Sequence, residues 1–250
     1  MKIIFFDTET TGNTEKDFLC QLAYKIAAYA RGSNEPKDSE IFVNLYKPPI
    51  PIPPETSAIH HITNKMVAEK PTFRESADWP RIKKLFENPE TILVAHNAPF
   101  DLTMLAKEEI KPKNFICTLR LARHLDSEGE IGKYNLQYLR YLLELEIEAP
   151  AHDARGDVLV LEKLYERLKK DLMQKEKLDE EKVILKMLEV SSHPSIFKYI
   201  NFGKYNGKQL AEIVRLDRDY LEWLLAQKLE SEQIDEDWIY TLKHYLHVLP

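Results

Sequence analysis

Two carboxylates, Asp7 and Glu9, come directly after an apolar run at residues 3–6. The run predicts a strand that is buried on both faces. Because successive side chains of a strand alternate, Asp7 and Glu9 lie on one face at the strand's C-terminal end. Neighbouring carboxylates repel each other, and they are tolerated where a divalent cation lies between them or where both point into water. The pair alone leaves both interpretations open.

Two further acids stand near the beginnings of predicted helices. Asp101 lies in the first turn of a helix that Asn97 is expected to cap, where the helix dipole favours a negative charge, although acids are common in such turns. Asp157 heads the apolar stripe of a helix predicted over residues 153–172 and therefore faces the core. An unpaired charge is costly there, so Asp157 needs a cation, a hydrogen-bond partner or a buried salt bridge with a nearby arginine.

A histidine, His152, comes just ahead of the same helix. A lone histidine in a turn is usually a surface residue or a satisfied core residue, but its pKa also suits a general base near neutral pH. In chain order the sequence offers two acids at a strand end, two at helix beginnings and this histidine. Such a set suits two Mg²⁺ or Mn²⁺ ions with a general base beside them. The five candidate catalytic residues are Asp7, Glu9, Asp101, His152 and Asp157.

The elements that must position these residues alternate between strands and helices. Strand candidates lie at residues 3–6, 19–30, 40–46 and 91–95. Helical spacing occurs at residues 72–86, after Asn97 and at 153–172, while prolines at 48–54 force extended loop backbone. This order predicts an α/β domain with a mixed sheet flanked by helices.

Composition excludes several classes of protein. The chain has 250 residues, 41 acids and 35 lysines and arginines, with 7 glycines and 2 cysteines, which rules out a collagen, a disordered chain and a disulfide scaffold. The net charge of −6 argues against a generic basic nucleic-acid binder. The cysteines lack the C-x-x-C spacing of a zinc knuckle, and acids interrupt the apolar start before a signal or membrane span is complete. A cytoplasmic protein without membrane contact is therefore expected.

A charged run at residues 169–182 predicts a domain boundary. We expect a first domain at 1–175, a charged helix or linker at 176–194 and a small, mainly helical module at 195–250. Two amphipathic helix candidates lie within that module, at 210–228 and 235–249. Truncation after about Lys177 is expected to leave the first domain folded.

Three segments carry a resemblance to a known family. FDTETTG (residues 6–12), HNAPFD (96–101) and HDARGD (152–157) resemble the motifs of the DEDDh 3′-5′ exonucleases, the group of the DNA polymerase III epsilon subunit and exodeoxyribonuclease X. AIHHITNKMV (58–67) resembles the family's connecting segment, with His61 where a glycine is usual. The resemblance covers residues 1–172. Residues 202–208 and 219–225 in turn look like the small module that follows the nuclease domain in exodeoxyribonuclease X-like proteins.

The resemblance implies a ribonuclease-H-like fold and roles for the five candidates. Asp7 would bridge two metal ions, Mg²⁺ or Mn²⁺, Glu9 and Asp157 would complete one site, and Asp101 would hold the other. His152 would take a proton from the attacking water. The reaction would release 5′-mononucleotides from a 3′ end, with single-stranded DNA as the expected substrate in repair or proofreading.

Substrate contacts also follow from the resemblance. The backbone around Thr10, together with Ala98 or Phe100, would hold the terminal nucleotide, although Phe100 is equally well explained as core packing. In the C-terminal module, Lys204 and Lys208 flank a glycine turn that would present them to phosphates. The aromatic residues of the module would stack on bases or, as is more common in a module of this size, form its core. They are Tyr205, Tyr220 and Trp223.

Two alternatives to a DNA exonuclease remain at this point. The same chemistry would trim RNA, because the motifs recognise metal and phosphate and not the 2′-hydroxyl. A catalytically silent nucleic-acid-binding subunit, for example of a polymerase or repair complex, is the other. Retention of all five candidate catalytic residues argues against the silent subunit.

Overall fold

The computed structural model describes residues 1–14, 16–29, 36–37, 41–147, 154–231 and 235–248. The strands are β1 (Lys2–Thr10), β2 (Leu19–Tyr29), β3 (Pro36–Lys37), β4 (Ile41–Leu45), β5 (Thr91–Ala95) and β6 (Asn114–Cys117). The α-helices are α1 (Pro54–His60), α2 (Asn64–Val67), α3 (Trp79–Phe86), α4 (Ala98–Lys107), α5 (Thr118–Leu125), α6 (Leu136–Leu142), α7 (Ala154–Glu176), α8 (Glu180–Ser192), α9 (Leu210–Leu216), α10 (Arg218–Glu230) and α11 (Glu236–Tyr245), and a 3₁₀ turn spans Gly203–Tyr205.

The strands form one mixed sheet with β1 at its centre. β2 pairs with β1 in antiparallel register, and the short β3 and β4 pair with the far edge of β2. On the other side, β5 runs parallel to β1, and β6 runs parallel to β5. Parallel neighbours require crossover connections, and the crossover helices α3 and α4 cover one face of the sheet. The other face is covered by α5, α7 and α8, which follow β6 in the chain. The predicted mixed α/β architecture is thereby confirmed.

The alternating side chains of β1 feed two separate cores. Ile3 and Phe5 pack with α5, α7 and α8 on one face of the sheet, and the ring of Phe5 meets Tyr165 of α7 edge to face at 5.3 Å. Ile4 and Phe6 point to the opposite face, where α3 and α4 cover them. A central strand that is buried on both faces explains the unbroken apolar run. The same alternation decides which helix each polar residue at the end of β1 will meet.

Several predicted elements have different bounds in the structure. The helix predicted at 72–86 begins only at Trp79, because the hydroxyl of Ser76 donates to the carbonyl of Phe73 and closes a local turn instead. The helix predicted at 210–228 is two helices, α9 and α10. Asp217 interrupts it with a non-helical backbone and caps α10 by accepting a hydrogen bond from the Tyr220 amide. Asn97 precedes α4 as predicted, but its backbone is left-handed and its side chain makes no capping bond.

A buried helical face follows the charged run at the expected boundary. α8 places Val183 and Met187, both fully buried, in the core that β1, α5 and α7 share. The hydroxyl of Ser191 accepts a 2.8 Å hydrogen bond from the Cys117 amide at the end of β6. By its packing, α8 therefore completes the larger lobe, which comprises β1–β6 and α1–α8.

The C-terminal module, residues 195–248 as described, is mainly helical as predicted and has a core of its own. Ile200, Leu221 and Leu242 are fully buried within it. Across the part of the chain that the structure describes, no helix has both the length and the apolar composition needed to cross a membrane.

Candidate active site

The end of β1 and the first turn of α7 bring three carboxylates together. Asp7 and Glu9 lie on the β1 face that α7 covers, the face that also carries Ile3 and Phe5. Asp157 lies in the first turn of α7. One oxygen from each of Asp7, Glu9 and Asp157 lies within 4.8 Å of the other two. The structure therefore unites three of the four acids that the sequence singled out.

Asp101 reaches the same strand from the opposite face. Thr8, between Asp7 and Glu9, points toward α4, and its hydroxyl donates a 2.6 Å hydrogen bond to Oδ1 of Asp101. Asp101 is buried in the first turn of α4. Burial raises the pKa of Asp101 to about 7, although the hydrogen bond from Thr8 opposes that rise.

The four carboxylates lie close enough for their charges to interact, so they form one electrostatic site. Burial raises the pKa of Asp7 well above its ordinary value, and the neighbouring charges of Glu9, Asp101 and Asp157 raise it further. Four converging carboxylates are destabilising when all are ionised, and a hard divalent cation with oxygen ligands relieves that repulsion. The donor set therefore fits Mg²⁺ or Mn²⁺.

The side-chain amide of Gln137 binds the carboxylate of Asp157, a contact that the sequence did not predict. Nε2 of Gln137 donates a 2.5 Å hydrogen bond to Oδ1 of Asp157. Nη1 of Arg140 lies 3.4 Å from Oε1 of Gln137, which orients the amide with its NH₂ group toward Asp157. Asn135 caps α6 by accepting from the Tyr138 amide at 2.8 Å, and this cap places Gln137 in the first turn. The cap was readable from the sequence, whereas the contact across 20 positions was not.

His96, in the second motif, ties the end of β5 to the segment before α6. Its Nε2 donates to the carbonyl oxygen of Tyr134 at 2.6 Å, and its Nδ1 lies 2.9 Å from the hydroxyl of Thr118. Desolvation lowers the pKa of His96 to about 4, so the ring is neutral at physiological pH and acts here as a brace. His96, Gln137 and the acids Asp7, Glu9 and Asp157 line one cavity of about 370 Å³.

The predicted substrate contacts around the terminal nucleotide have distinct surroundings. Ala98, the first residue of α4, is fully buried, whereas Phe100 is only partly buried and lines a second cavity. Thr10 donates through its hydroxyl to the carbonyl of Gly12, and its own carbonyl accepts a 3.2 Å hydrogen bond from Nε2 of His60. His61, at the position where the family usually has glycine, adopts the left-handed conformation with φ of 62° and ends α1.

The remaining predicted site residues lie apart from the carboxylates or outside the described residues. His152 belongs to the latter group. Lys204 and Lys208 are exposed in the C-terminal module, and neither lines the two cavities beside the carboxylates. Lys204 pairs with Asp217 at 2.9 Å. Of the module's three aromatic candidates, two pack partly against its core, and Trp223 is 56% exposed.

Comparison with known proteins identifies the family. The profile of the Exonuclease family matches residues 4–165. The chain belongs to the DEDDh exonuclease family. A second profile, described as Exodeoxyribonuclease X-like C-terminal, matches residues 200–228 within the module.

Several relatives are similar to most of this chain. Exodeoxyribonuclease 10 of Escherichia coli (strain K12) is 31% identical over 213 residues, which are 81% of this chain and 83% of that protein. The DNA polymerase III subunit epsilon of Treponema pallidum (strain Nichols) is 32% identical over 64% of this chain and 73% of that protein. A solved structure of exonuclease X in complex with 5′ overhanging duplex DNA is 26% identical, with a TM-score of 0.54 over 76% of this chain and 99% of that one. The ribonuclease-H-like fold expected from the motifs is confirmed.

Proposed function

We propose that this exonuclease removes 5′-mononucleotides from the 3′ ends of single-stranded DNA, in DNA repair or proofreading, by hydrolysis that depends on two divalent cations. The observation that carries the proposal is the convergence of four carboxylates on the end of β1. Asp7, Glu9 and Asp157 approach it from one face and Asp101 from the other. Four carboxylates around one strand end supply enough oxygen ligands for two divalent cations.

The proposed ligands are the four acids. Asp7 would be shared by the two ions, Glu9 and Asp157 would hold one of them, and Asp101 would hold the other. Two bound Mg²⁺ or Mn²⁺ ions supply electrostatic stabilisation of the attacking and leaving oxygens of the phosphodiester. Thr8 and Gln137 keep the carboxylates of Asp101 and Asp157 in fixed orientations.

His152 is the proposed general base. Its place in the HDARGD motif puts it just ahead of α7, which begins with the turn that carries Asp157. An ordinary histidine pKa of about 6.5 leaves the imidazole largely neutral at physiological pH, so that it can accept the proton of the attacking water.

The names of the relatives support DNA as the substrate. An exodeoxyribonuclease and an exonuclease bound to DNA are similar over three quarters or more of this chain. In the proposed complex, the ring of Phe100 meets the terminal base, while Thr10 and Ala98 contribute through their backbone. Lys208 is the better phosphate ligand of the two module lysines, because Lys204 already pairs with Asp217. The likeness to epsilon subunits supports a polymerase or repair complex as the partner.

The test compares DNA and RNA oligomers of one sequence, labelled at the 5′ end, with Mg²⁺ and with EDTA. A ladder that shortens from the 3′ end of DNA, only with Mg²⁺ and with 5′-mononucleotide products, is expected. Faster degradation of RNA would replace the proposal with an RNA-trimming enzyme. Binding without cleavage by the intact chain would replace it with a silent subunit.

A further inference from the structure

A cavity of about 800 Å³ lies between the larger lobe and the C-terminal module. Its wall on the larger lobe includes Asn97 and Phe100, which precede Asp101 in the same motif, and Asn13 from the loop after β1. Its opposite wall includes Lys228 and Ser231 from the end of α10. The cavity thus begins at residues next to the proposed catalytic carboxylates, and the described residues on its far side belong to the module.

Ion pairs between α5 and α11 dock the module at this place. Arg120 of α5, which is 5% exposed, binds the exposed Glu236 at 2.5 Å and donates to the Ser191 carbonyl at 2.6 Å. Arg123, one turn further along α5, pairs with the buried Asp237, which also lies 3.6 Å from Nε of Arg120. Removing one partner of a buried ion pair is strongly destabilising, so the contacts of Asp237 define where the module sits.

The surroundings of Arg123 and Asp237 fix the geometry of the docking further. The guanidinium of Arg123 lies over the ring of Phe197 at 4.7 Å and over that of Tyr134 at 5.6 Å. Asp237 accepts a 2.9 Å hydrogen bond from the Ser195 amide. Tyr134 is also the residue that His96 braces, so the docking contacts adjoin the support of the active site.

The charges of the cavity disfavour phosphate as its main ligand. Both arginines are engaged by module acids, and Lys228 pairs with Asp235 at 3.2 Å, so each cation among the described lining residues has an acidic partner. The rest of the lining includes the ring of Phe100 and neutral polar groups such as those of Asn13 and Thr103. Aromatic rings stack on bases, while amides and hydroxyls form hydrogen bonds with base edges. Neither interaction requires a phosphate, so this lining suits bases.

We infer that this cavity binds the unpaired bases next to the 3′ end, and that the docked module is the part of the chain that selects single strands over duplex. This role rests on the proposed function, and it would explain how the enzyme prefers single strands to duplex. In a duplex the bases are stacked and paired with each other, so they cannot enter a cavity that recognises faces and edges. The module thus acts as a wall of the substrate channel, through α10 and α11, and Lys204 and Lys208 are not needed for this selection.

The first test fills the cavity from the module side in the full chain. Ser231→Trp places a large ring in the cavity wall, and Leu229→Trp is its matched control on an exposed position of α10 outside the lining. The readout is the rate on a single-stranded oligothymidine divided by the rate on p-nitrophenyl thymidine phosphate, a mononucleotide ester that has no further bases. We expect the ratio to fall about tenfold in Ser231→Trp, the effect of losing one stacked base, and to stay at the wild-type value in Leu229→Trp. An unchanged ratio in Ser231→Trp overturns the inference.

The second test releases the module without filling the cavity. Asp237→Arg places a third cation against Arg120 and Arg123, which should separate the module from α5 and be visible as faster proteolysis between the lobes. We expect the preference for a single strand over a blunt duplex to fall about tenfold, with the salt dependence of single-strand binding unchanged.

A released module with the wild-type preference overturns the inference. If Asp237→Arg does not fold, the Ser231→Trp ratio decides alone. A wild-type chain that hydrolyses neither oligomer nor ester instead contradicts the proposed function.

Discussion

The hydroxyl of Thr8 donates a 2.6 Å hydrogen bond to Oδ1 of Asp101, a residue 93 positions further along the chain. Thr8 lies between Asp7 and Glu9, and the pleat of β1 turns its side chain to the face opposite theirs. One strand end therefore holds carboxylates from both sides, two of its own on the α7 face and one bound through Thr8 on the α4 face. The single residue between the two acids is a structural link between the halves of the site.

Replacing Thr8 tests this link. Thr8→Val keeps the shape but removes the donor, and we expect it to slow cleavage about tenfold or more, since a hydrogen bond to a charged group contributes roughly 1.5–3 kcal/mol. The pKa of Asp101 should also rise, because the Thr8 bond lowers it, and the acidic limb of the pH–rate profile should move to higher pH. Thr8→Ser keeps the hydroxyl and should resemble wild type. Equal rates and pH profiles for the two variants would contradict the role.

The pKa values of the acids predict how stability depends on pH without metal. Burial raises the pKa of Asp101 to about 7 and that of Asp7 well above its ordinary value. A carboxyl with a raised pKa in the folded chain stabilises the fold fully below about pH 4, and that stability is lost as the pH rises toward 7. In EDTA the free energy of unfolding should therefore fall across this range, and Mg²⁺ should restore it. Urea unfolding of wild type and Asp101→Asn checks this, since the variant should show a shallower slope. If the free energy of unfolding falls equally steeply with pH in both proteins, Asp101 does not contribute to the pH dependence.

Asp7→Ala should abolish both metal binding and cleavage. The charges of the other three acids all raise the pKa of Asp7, and no neighbouring group can replace it as the proposed shared ligand. Titration calorimetry with Mn²⁺ measures the binding directly. Retained Mn²⁺ affinity in this variant would show that Asp7 is not a ligand.

His152→Ala should keep the metals and lose rate. A general base typically contributes about 10²- to 10⁴-fold, and we expect a loss in that range at neutral pH. The same calorimetry separates the roles, because a base does not affect Mn²⁺ affinity whereas a ligand does. Weakened Mn²⁺ binding would make His152 a ligand instead of a base.

The sequence was sufficient where a local pattern determines structure. The apolar run of β1 and the stripe of α7 predicted both elements, and the resemblance of the motifs implied that Asp7, Glu9 and Asp157 come together. The partners of Thr8 and Gln137 were not predictable, because each bond joins elements far apart in the chain and depends on how they pack.

Short or highly charged elements were missed for local reasons. β6 has only four residues, too few for a periodic pattern. The charged start of α8 hid the apolar spacing of Val183, Ile184 and Met187, which form its buried face. The cavity between the lobes depends on ion pairs across more than 100 positions, and no pattern within one segment reports such a contact.

The packing of α8 leads to a last prediction, about where the larger lobe ends. A chain ending at Lys177, where the charged run suggested a boundary, loses the fully buried Val183 and Met187 and leaves the Cys117 amide without its Ser191 acceptor. Deleting a single large buried side chain costs roughly 2–5 kcal/mol, and domains are stable by only about 5–15 kcal/mol. We therefore propose that the boundary follows Ser192, and we expect a chain ending at His193 to fold and a chain ending at Lys177 to fail.

Thermal unfolding followed by circular dichroism compares the two. The longer truncation should also still hydrolyse p-nitrophenyl thymidine phosphate, since its four carboxylates and their supports all lie before α8. Cooperative melting of both truncations at one temperature would show that α8 covers the sheet without stabilising it, and the boundary would then move back into the charged run.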